Sequence, residues 1–556
     1  MSSDRLSFSS ISKRFNFGFW TILVVAIAFI IAIPIIFIIS SIFANTWDIW
    51  QHLIDTVLQD YIVNSFWLML GVGLGTFIIG VGTAWLVTMC RFWGSRWLEW
   101  LLLLPLAAPA YLLAYAYTNM LDYFGPVQIF LRGVFGWTSI RDYWFPDVRS
   151  LWGAILMLSL VLYPYVYLLT RVAFLEQSVC TLEASRSLGC NPWRSFFTIA
   201  LPLARPSIMA GLALVLMETL NDFGTVEYFG VSTFTTGIYR TWFGMEERTA
   251  AAQLAAFLML FILALIILER LSRKQAKYYQ SSGSGNRVPK YELGLIRGFL
   301  ASIACLIPVA LGFLIPAWYL LRMTLANREK AFDDDFWSLT NHSFTLAIAT
   351  AIIAVIVALI MAYGQRLKPN WTMRSAVRIA AMGYAIPGSV IAVGTLIPLG
   401  SFDNGLDRFM QSNFGISTGL LLSGTVISLI FAYLVRFLAV AFSSVESSLN
   451  KITPNLDDAA RSLGSGATNT LVKVHAPLMS GGLLTAAMLV FVDVMKELPA
   501  TLVIRPFNFD TLAIRVYQYA SDERLVEASA PALAIVLVGV IPVILLTWQI
   551  THSRTD

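Results

Sequence analysis

Five ionisable side chains fall where an apolar chain can least accommodate them. Glu218 and Asp222 lie in Met-Glu-Thr-Leu-Asn-Asp-Phe-Gly, and Asp493, Lys496 and Glu497 lie in Val-Asp-Val-Met-Lys-Glu-Leu-Pro, each at the end of a long apolar run. An ionised group near mid-bilayer costs roughly 2.5–3.5 kcal/mol on insertion scales, so such clusters persist only when buried in protein or facing water. The spacings 218/222 and 493/497 put two carboxylates on one helical face in each segment, and Lys496 shares a turn with Asp493. Two roles fit: the groups line or gate a pathway, or they form an ion-pair network that orients helices. If the clusters face one another across a twofold axis, the four acids have only Lys496 among them. In a closed, dry site they repel, so water, a cation or partial protonation must screen them.

Ahead of each cluster stands a polar island, EASRSLGCNPWRSFFTIALP at 183–202 and DAARSLGSGATNTLVKVHAP at 458–477. Aligned on Arg-Ser-Leu-Gly, the pairs Arg186/Arg461, Gly189/Gly464 and Pro202/Pro477 share one offset, the mark of an internal duplication. About two turns of helix former precede each glycine, which can take the left-handed conformation that closes a helix. Thr453-Pro454 offers a cap and a first-turn proline to the second copy, and Thr181 can cap the first. The expected unit is a short helix, a tight exit, a second short helix and a proline stop, presented to something outside the membrane.

These islands interrupt a chain that is 57% hydrophobic and 13% charged, which excludes an ordinary soluble protein of this length. A bilayer core of about 30 Å needs about 20 apolar residues of helix. Spans are expected near 19–42, 61–89, 99–120, 150–174, 206–224 and 250–269, and again near 294–321, 344–364, 378–399, 416–440, 479–499 and 528–549. The second set repeats the first, with Asn64-Ser65-Phe66 echoed by Asn341-His342-Ser343-Phe344 and paired kinks expected at Pro109 and Pro387. An even number of helices per half makes the repeat parallel. Arg5, Lys13 and Arg14 precede a first run too long for a signal peptide and better read as a membrane helix.

Lys and Arg in the short loops set the orientation. Arg270, Arg273, Lys274, Lys277, Arg287 and Lys290 surround a Ser/Gly linker, and Arg91, Arg96, Arg366, Lys368, Arg374 and Arg378 agree, which places both polar islands and both termini in the cytoplasm. The loops at 121–149 and 322–343 fall outside. The domains expected are a first repeat at 1–270 with the loop 181–205, a linker at 271–292, and a second repeat at 293–556 with the loop 453–478. The bases are spread over loops and form no stripe for nucleic acid. Cys90, Cys180, Cys190 and Cys305 and the four histidines show no metal-site spacing, and no hydrolytic triad or redox site is apparent. Met479-Ser480-Gly481-Gly482 reads as a close helix contact.

The islands also carry a resemblance. Glu183, Ala184, Gly189, Ile199, Leu201 and Pro202, with Ser185 in place of a second alanine, are similar to the signature loop of permease subunits of binding-protein-dependent ABC importers. Ala459, Ala460, Gly464 and Pro477 repeat it, with Asp458, Val474 and Ala476 as departures. The resemblance implies an all-α polytopic membrane protein of about twelve transmembrane helices in two parallel six-helix repeats, like type I ABC importer permeases. It also implies a bacterial inner-membrane location and two coupling helices that dock on a homodimer of cytoplasmic ATPases. Substrate would come from a periplasmic binding protein, with lipid as the other partner. No Gly-x-x-x-x-Gly-Lys-Ser/Thr occurs, so ATP and magnesium are expected on that separate chain and no catalytic residue or cofactor on this one. The stretch 496–527 resembles fused ferric-iron permeases, and the first half echoes it with Phe234 and Arg240 set against Phe509 and Arg515. Carboxylates with Tyr228, Tyr239, Tyr517 and Tyr519 suit a hard ferric ion, though tyrosines also pack at membrane interfaces. Fused permeases for thiamine or another small solute, an ion-driven carrier or channel, and a membrane scaffold are the alternatives.

Overall fold

The computed structural model describes residues 18–176, 191–274, 290–332 and 334–552. Glu183, Ala184, Ser185, Arg186, Gly189 and Thr181 lie outside the described residues, as do Cys180, Cys190 and most of the linker. Nine helices among the described residues are long and apolar enough to cross a membrane. Three bent pairs pass the same test together, which brings the spans to as many as twelve. In hydrocarbon each backbone N–H must find its acceptor within its own segment, so the apolar runs have little choice but helix. The protein is an all-α polytopic membrane protein whose spans follow the two sets of six apolar runs in order.

Both repeats use the same hydrogen-bond plan. Asn64 Nδ2 donates to Ser232 O at 3.0 Å, and His342 Nδ1 meets Asp510 O at 3.3 Å. Ser65 Oγ accepts from Phe234 N, and Ser343 Oγ accepts from Leu512 N. Thr233 and Thr511 are the N-cap residues of helices Phe234–Tyr239 and Leu512–Ser521. Phe234 therefore corresponds to Leu512, not to Phe509, and Arg240 and Arg515 are not equivalents. Extra residues before Thr511 in the second repeat shift the register that the sequence suggests.

The halves are interlocked. Helix Phe19–Ser41 packs on Trp371–Ala380 and Gly388–Phe414 of the second half, while Leu295–Val309 reaches back to Leu58–Met89 and Ser95–Leu101. Glycines permit this close approach: a Cβ on Gly394 would lie 2.7 Å from Pro34 O, and one on Gly312 would lie 2.5 Å from Leu160 O. Gly482 likewise presses on Ser448, which fits the packing role expected of the Ser-Gly-Gly run. A two-residue parallel pairing of Cys90–Arg91 with Tyr291–Glu292 ties the far end of the linker to the end of Leu58–Met89.

Pro109 and Pro387 make complete breaks where the sequence suggests kinks. Ser95–Ala107 meets Ala110–Phe135 at 91°, and Trp371–Ala385 meets Gly388–Phe414 at 117°. Each proline is the N-cap of the outgoing helix, and the residue before it is extended, Ala108 at φ −104°, ψ 127° and Ile386 at φ −93°, ψ 129°. The pyrrolidine ring disfavours the α region for its predecessor, and here both predecessors are extended, which ends the incoming helix. The expected proline stops behave differently again. Pro202 sits in the first turn of Leu201–Asn221, within a span that continues unbroken from Phe196. Pro477 sits in the three-residue helix Ala476–Leu478, and the chain bends by 80° just after it, before Ser480–Met495. A π-helical turn, Phe196–Ala200, directly precedes Pro202, and the span runs on through it, so at Pro202 the proline stops nothing.

Candidate functional site

Glu218, Asp222, Asp493, Lys496 and Glu497 all line one cavity of about 140 Å³ at the junction of the repeats. It is closed by the C-terminal ends of Leu201–Asn221 and Ser480–Met495, by Pro109 and Ala110 at the first proline break, and by Tyr165, Tyr384 and Arg436. The two clusters therefore share one cavity, one contributed by each repeat.

On the second-repeat wall every charge has a partner. Lys496 Nζ lies 3.0 Å from Asp493 Oδ1. Glu497 Oε1 accepts from Arg436 Nη1 at 2.8 Å and from Ala500 N at 2.9 Å, and its Oε2 accepts from Thr501 N at 3.0 Å and Thr501 Oγ1 at 2.6 Å. These bonds satisfy the first N–H groups of helix Pro499–Ile504, which otherwise have no intrahelical acceptor. Arg436 and Glu497 are both buried; the backbone and Thr501 donors fill the carboxylate's other lone pairs, while Arg436 Nε has no hydrogen-bond partner among the described residues. Gly388 makes room for it, since a Cβ there would lie 2.7 Å from Glu497 Oε1. Lys496 is thus not the only base at the site. Arg436 was hidden in the apolar run Leu434-Val435-Arg436-Phe437, and its own cost in a membrane span was the signal that could have found it.

The first-repeat wall has the same backbone bonds and no cation. Asp222 Oδ1 accepts from Thr225 N and Val226 N, both at 3.1 Å, and Oδ2 accepts from Thr225 Oγ1 at 2.9 Å, capping Gly224–Tyr228. Counted from the starts of Leu151–Glu176 and Val426–Asn450, Val161 falls where Arg436 does, and it too lines the cavity. Asn221 stands in the place of Lys496; its Oδ1 accepts from Gly388 N at 2.8 Å, and its Nδ2 reaches Glu218 only at 3.5 Å. Among the described residues neither Glu218 nor Asp222 forms an ion pair. One wall carries two acids and two bases, and the other carries two acids alone.

The outer tyrosines do not gather round a common point. Tyr239 bonds to Pro499 O and stacks on Phe223 at 3.8 Å, with Tyr517 at 5.8 Å from the same ring. Tyr228 packs on Tyr115 at 4.5 Å, and Tyr519 lies under Arg515 and Arg524 at 5.5 and 5.0 Å. These are packing contacts. Among the described residues no three His, Cys, Asp or Glu side chains are placed to hold one metal ion.

The second polar island forms the expected short helix, Pro454–Ser462, with Asp458, Ala459, Ala460 and Arg461 in it. Gly464 takes φ +78°; its N–H bonds to Arg461 O at 2.9 Å, and Ser465 N bonds to Ala460 O at 2.9 Å. That double return is the Schellman closure that the glycine suggested. Thr453 occupies the N-cap position, but its side chain makes no capping bond, so Pro454 alone shapes the entry. The helix is anchored by Asp457, which accepts from Arg366 Nη2 at 2.6 Å and contacts His475 Nε2 at 2.6 Å. Burial pushes the Asp457 carboxyl up, yet the hydrogen bonds from Arg366 and His475 outweigh it and hold the group below the usual carboxylate range. At the tip Leu463 is 88% exposed, flanked by exposed Asp458 and Arg461.

Residues 76–277 match the family described as the binding-protein-dependent transport system inner membrane component. The chain is 26% identical over 541 residues to the Fe(3+)-transport system permease protein FbpB 2 of Haemophilus influenzae, covering 95% of this chain and 98% of that one. It is 23% identical to the ferric transport system permease protein FbpB of Actinobacillus pleuropneumoniae, covering 97% and 79%. The molybdenum transport system permease protein ModB of Haemophilus influenzae is 29% identical, with 37% of this chain covering 89% of that relative, as a single-unit permease set against a two-unit chain would be. Along nearly its whole length, then, the chain resembles fused permeases of ferric-iron ABC importers.

Proposed function

We propose that this chain is the membrane permease of an ATP-driven importer that takes ferric iron from a periplasmic binding protein and passes it to the cytoplasm. It is a transport subunit of the inner membrane. The observation that carries the reading is the convergence of both charged clusters on one cavity. Each cluster ends the helix that follows a polar island, in the first repeat through the continuous span Phe196–Asn221 and in the second across the 80° bend before Ser480–Met495, so a push on the islands is delivered to the cavity walls along a short path. The near full-length similarity to ferric permeases names the substrate.

In this reading Glu183, Ala184, Ser185, Arg186, Gly189 and Pro202 form one coupling segment and Asp458, Ala459, Ala460, Arg461, Gly464 and Pro477 the other. They engage a pair of ATPase subunits that hold ATP and magnesium, and both termini lie in the cytoplasm with them. The repeats divide at the linker 271–292. Iron crosses as cargo and no cofactor resides on the chain. The experiment is co-purification of the ATPase with the permease carrying Gly464→Val. A β-branched residue strongly disfavours positive φ, so the Schellman closure should distort and ATPase recovery should fall. Full recovery and wild-type transport from Gly464→Val and Gly189→Val alike would remove the islands from the docking site.

A further inference from the structure

We infer that Arg366, Asp457 and His475 are positioning residues that clamp the second coupling segment to the helix Asp334–Leu367, and that this clamp carries the ATPase stroke to the second-repeat wall of the cavity. This rests on the importer reading and adds the route by which one half is driven. A separate route is needed because the two islands connect differently to their walls. In the first repeat the span Phe196–Asn221 begins within the island and continues unbroken, whereas in the second the chain bends by 80° between Ala467–Leu478 and Ser480–Met495. A chain that turns so sharply after the three-residue helix Ala476–Leu478 transmits little thrust along its own backbone.

The cluster spans that bend. Arg366 stands in the last turn of Asp334–Leu367. Its Nε and Nη2 donate to Asp457 Oδ2 at 2.9 and 2.6 Å, and its Nη1 and Nη2 donate to Leu449 O and Ile452 O at 2.7 and 2.9 Å. One guanidinium thus joins the coupling helix Pro454–Ser462 to the ends of Asp334–Leu367 and Val426–Asn450, and its rigid planar fork fixes their relative placement. His475 closes the π-helical turn Leu471–His475 and is fully buried. Since a carboxylate only accepts, His475 Nε2 donates to Asp457 Oδ1, at 2.6 Å. One turn before Arg366, the Tyr363 hydroxyl donates to Ala467 O at 3.0 Å and holds the second short helix to the same span. Asp334–Leu367 in turn packs on Ser480–Met495, which leads into Lys496 and Glu497. The fold does not demand this chemistry. At the aligned positions the first repeat has Thr88, Leu182 and Ala200 in place of Arg366, Asp457 and His475. Trp85, aligned with Tyr363, packs at 4.9 Å on Phe196 of the matching π-helical turn. Apolar side chains often replace buried ion clusters without loss of stability, so charges kept at these positions in one repeat alone mark a demand for fixed geometry there.

The test is hydrogen exchange, read by mass spectrometry, on the complete importer complex in lipid nanodiscs with and without ATP and vanadate. In the wild type both cavity walls, 201–222 and 480–497, should change protection when nucleotide is trapped. His475→Ala should speed exchange across 454–462 by about tenfold without nucleotide, through loss of a hydrogen bond to a charged group. The ATPase should still co-purify and the response at 201–222 should remain, while the response at 480–497 should vanish. His475→Gln, whose amide can donate to Asp457, should restore it. A merely structural role leaves the response at 480–497 intact in His475→Ala, and that result overturns the clamp. Equal loss at both walls overturns it too, because the ATPase then no longer engages. Should His475→Ala lose protection throughout the chain, Asp457→Asn, which keeps the side-chain volume, is read by the same outcomes. A wild-type complex with no nucleotide response at either wall defeats the importer reading itself and leaves no stroke for the clamp to carry.

Discussion

The two walls of the cavity descend from one repeated helix end, yet they carry different chemistry. Both keep the carboxylate that caps a short helix, Asp222 over Thr225 and Val226, Glu497 over Ala500 and Thr501. They differ in the bases: Arg436 and Lys496 on one side, Val161 and Asn221 on the other. Capping is a backbone requirement of the fold and recurs in both halves. Direct pairing with a base is not, and only the second-repeat wall keeps it. A carboxylate's position in a duplicated motif therefore does not fix its role; the partners arriving from another helix do.

The comparison can be broken most severely at Glu497. Glu497→Ala strands Arg436 in a buried site and should destabilise the protein by about 3–5 kcal/mol, whereas Asp222→Ala removes a cap alone and should cost about 0.5–2 kcal/mol. Thermal unfolding in one detergent would rank them, and equal losses would mean that the arginine pair adds nothing to the cap. Next comes Arg436→Val, which copies the first wall onto the second. Glu497 keeps its backbone and Thr501 donors, so the loss should be near that of one charged hydrogen bond, about 1.5–3 kcal/mol. A loss as large as that of Glu497→Ala would show that the arginine does more than neutralise. The smallest change is Lys496→Asn, which mirrors Asn221 and leaves Asp493 without its base. The loss should be about 0.2–1 kcal/mol, as for a partly exposed pair, and a loss equal to that of Arg436→Val would mean that the lysine does more than pair with Asp493.

The apolar spans were legible because hydrocarbon removes every alternative to helix, and the five charges stood out because each is costly in an apolar run. The left-handed Gly464 was legible from its place after the polar helix. Other features depended on tertiary contacts that no local pattern contains. Arg436 is separated in sequence from Glu497 and is recognisable as its partner only once helix Val426–Asn450 is packed against the cavity. The proline breaks exceeded the expected kinks because Ala108 and Ile386 are fully extended, which a proline permits but does not compel. Hard-donor chemistry pointed to the outer tyrosines, which instead pack on Tyr115, on Phe223 and under Arg515 and Arg524.

The central claim, an ATP-driven ferric importer with its pathway through this cavity, is tested most directly by uptake of radiolabelled iron into proteoliposomes. These would contain the permease and its ATPase, with iron-loaded binding protein outside and ATP within. Accumulation should require both ATP and the ATPase, should not be competed by thiamine, and should fall strongly in Glu218→Gln. Iron accumulation by the permease alone down an ion gradient, or ATP-dependent uptake of thiamine in place of iron, would contradict the account.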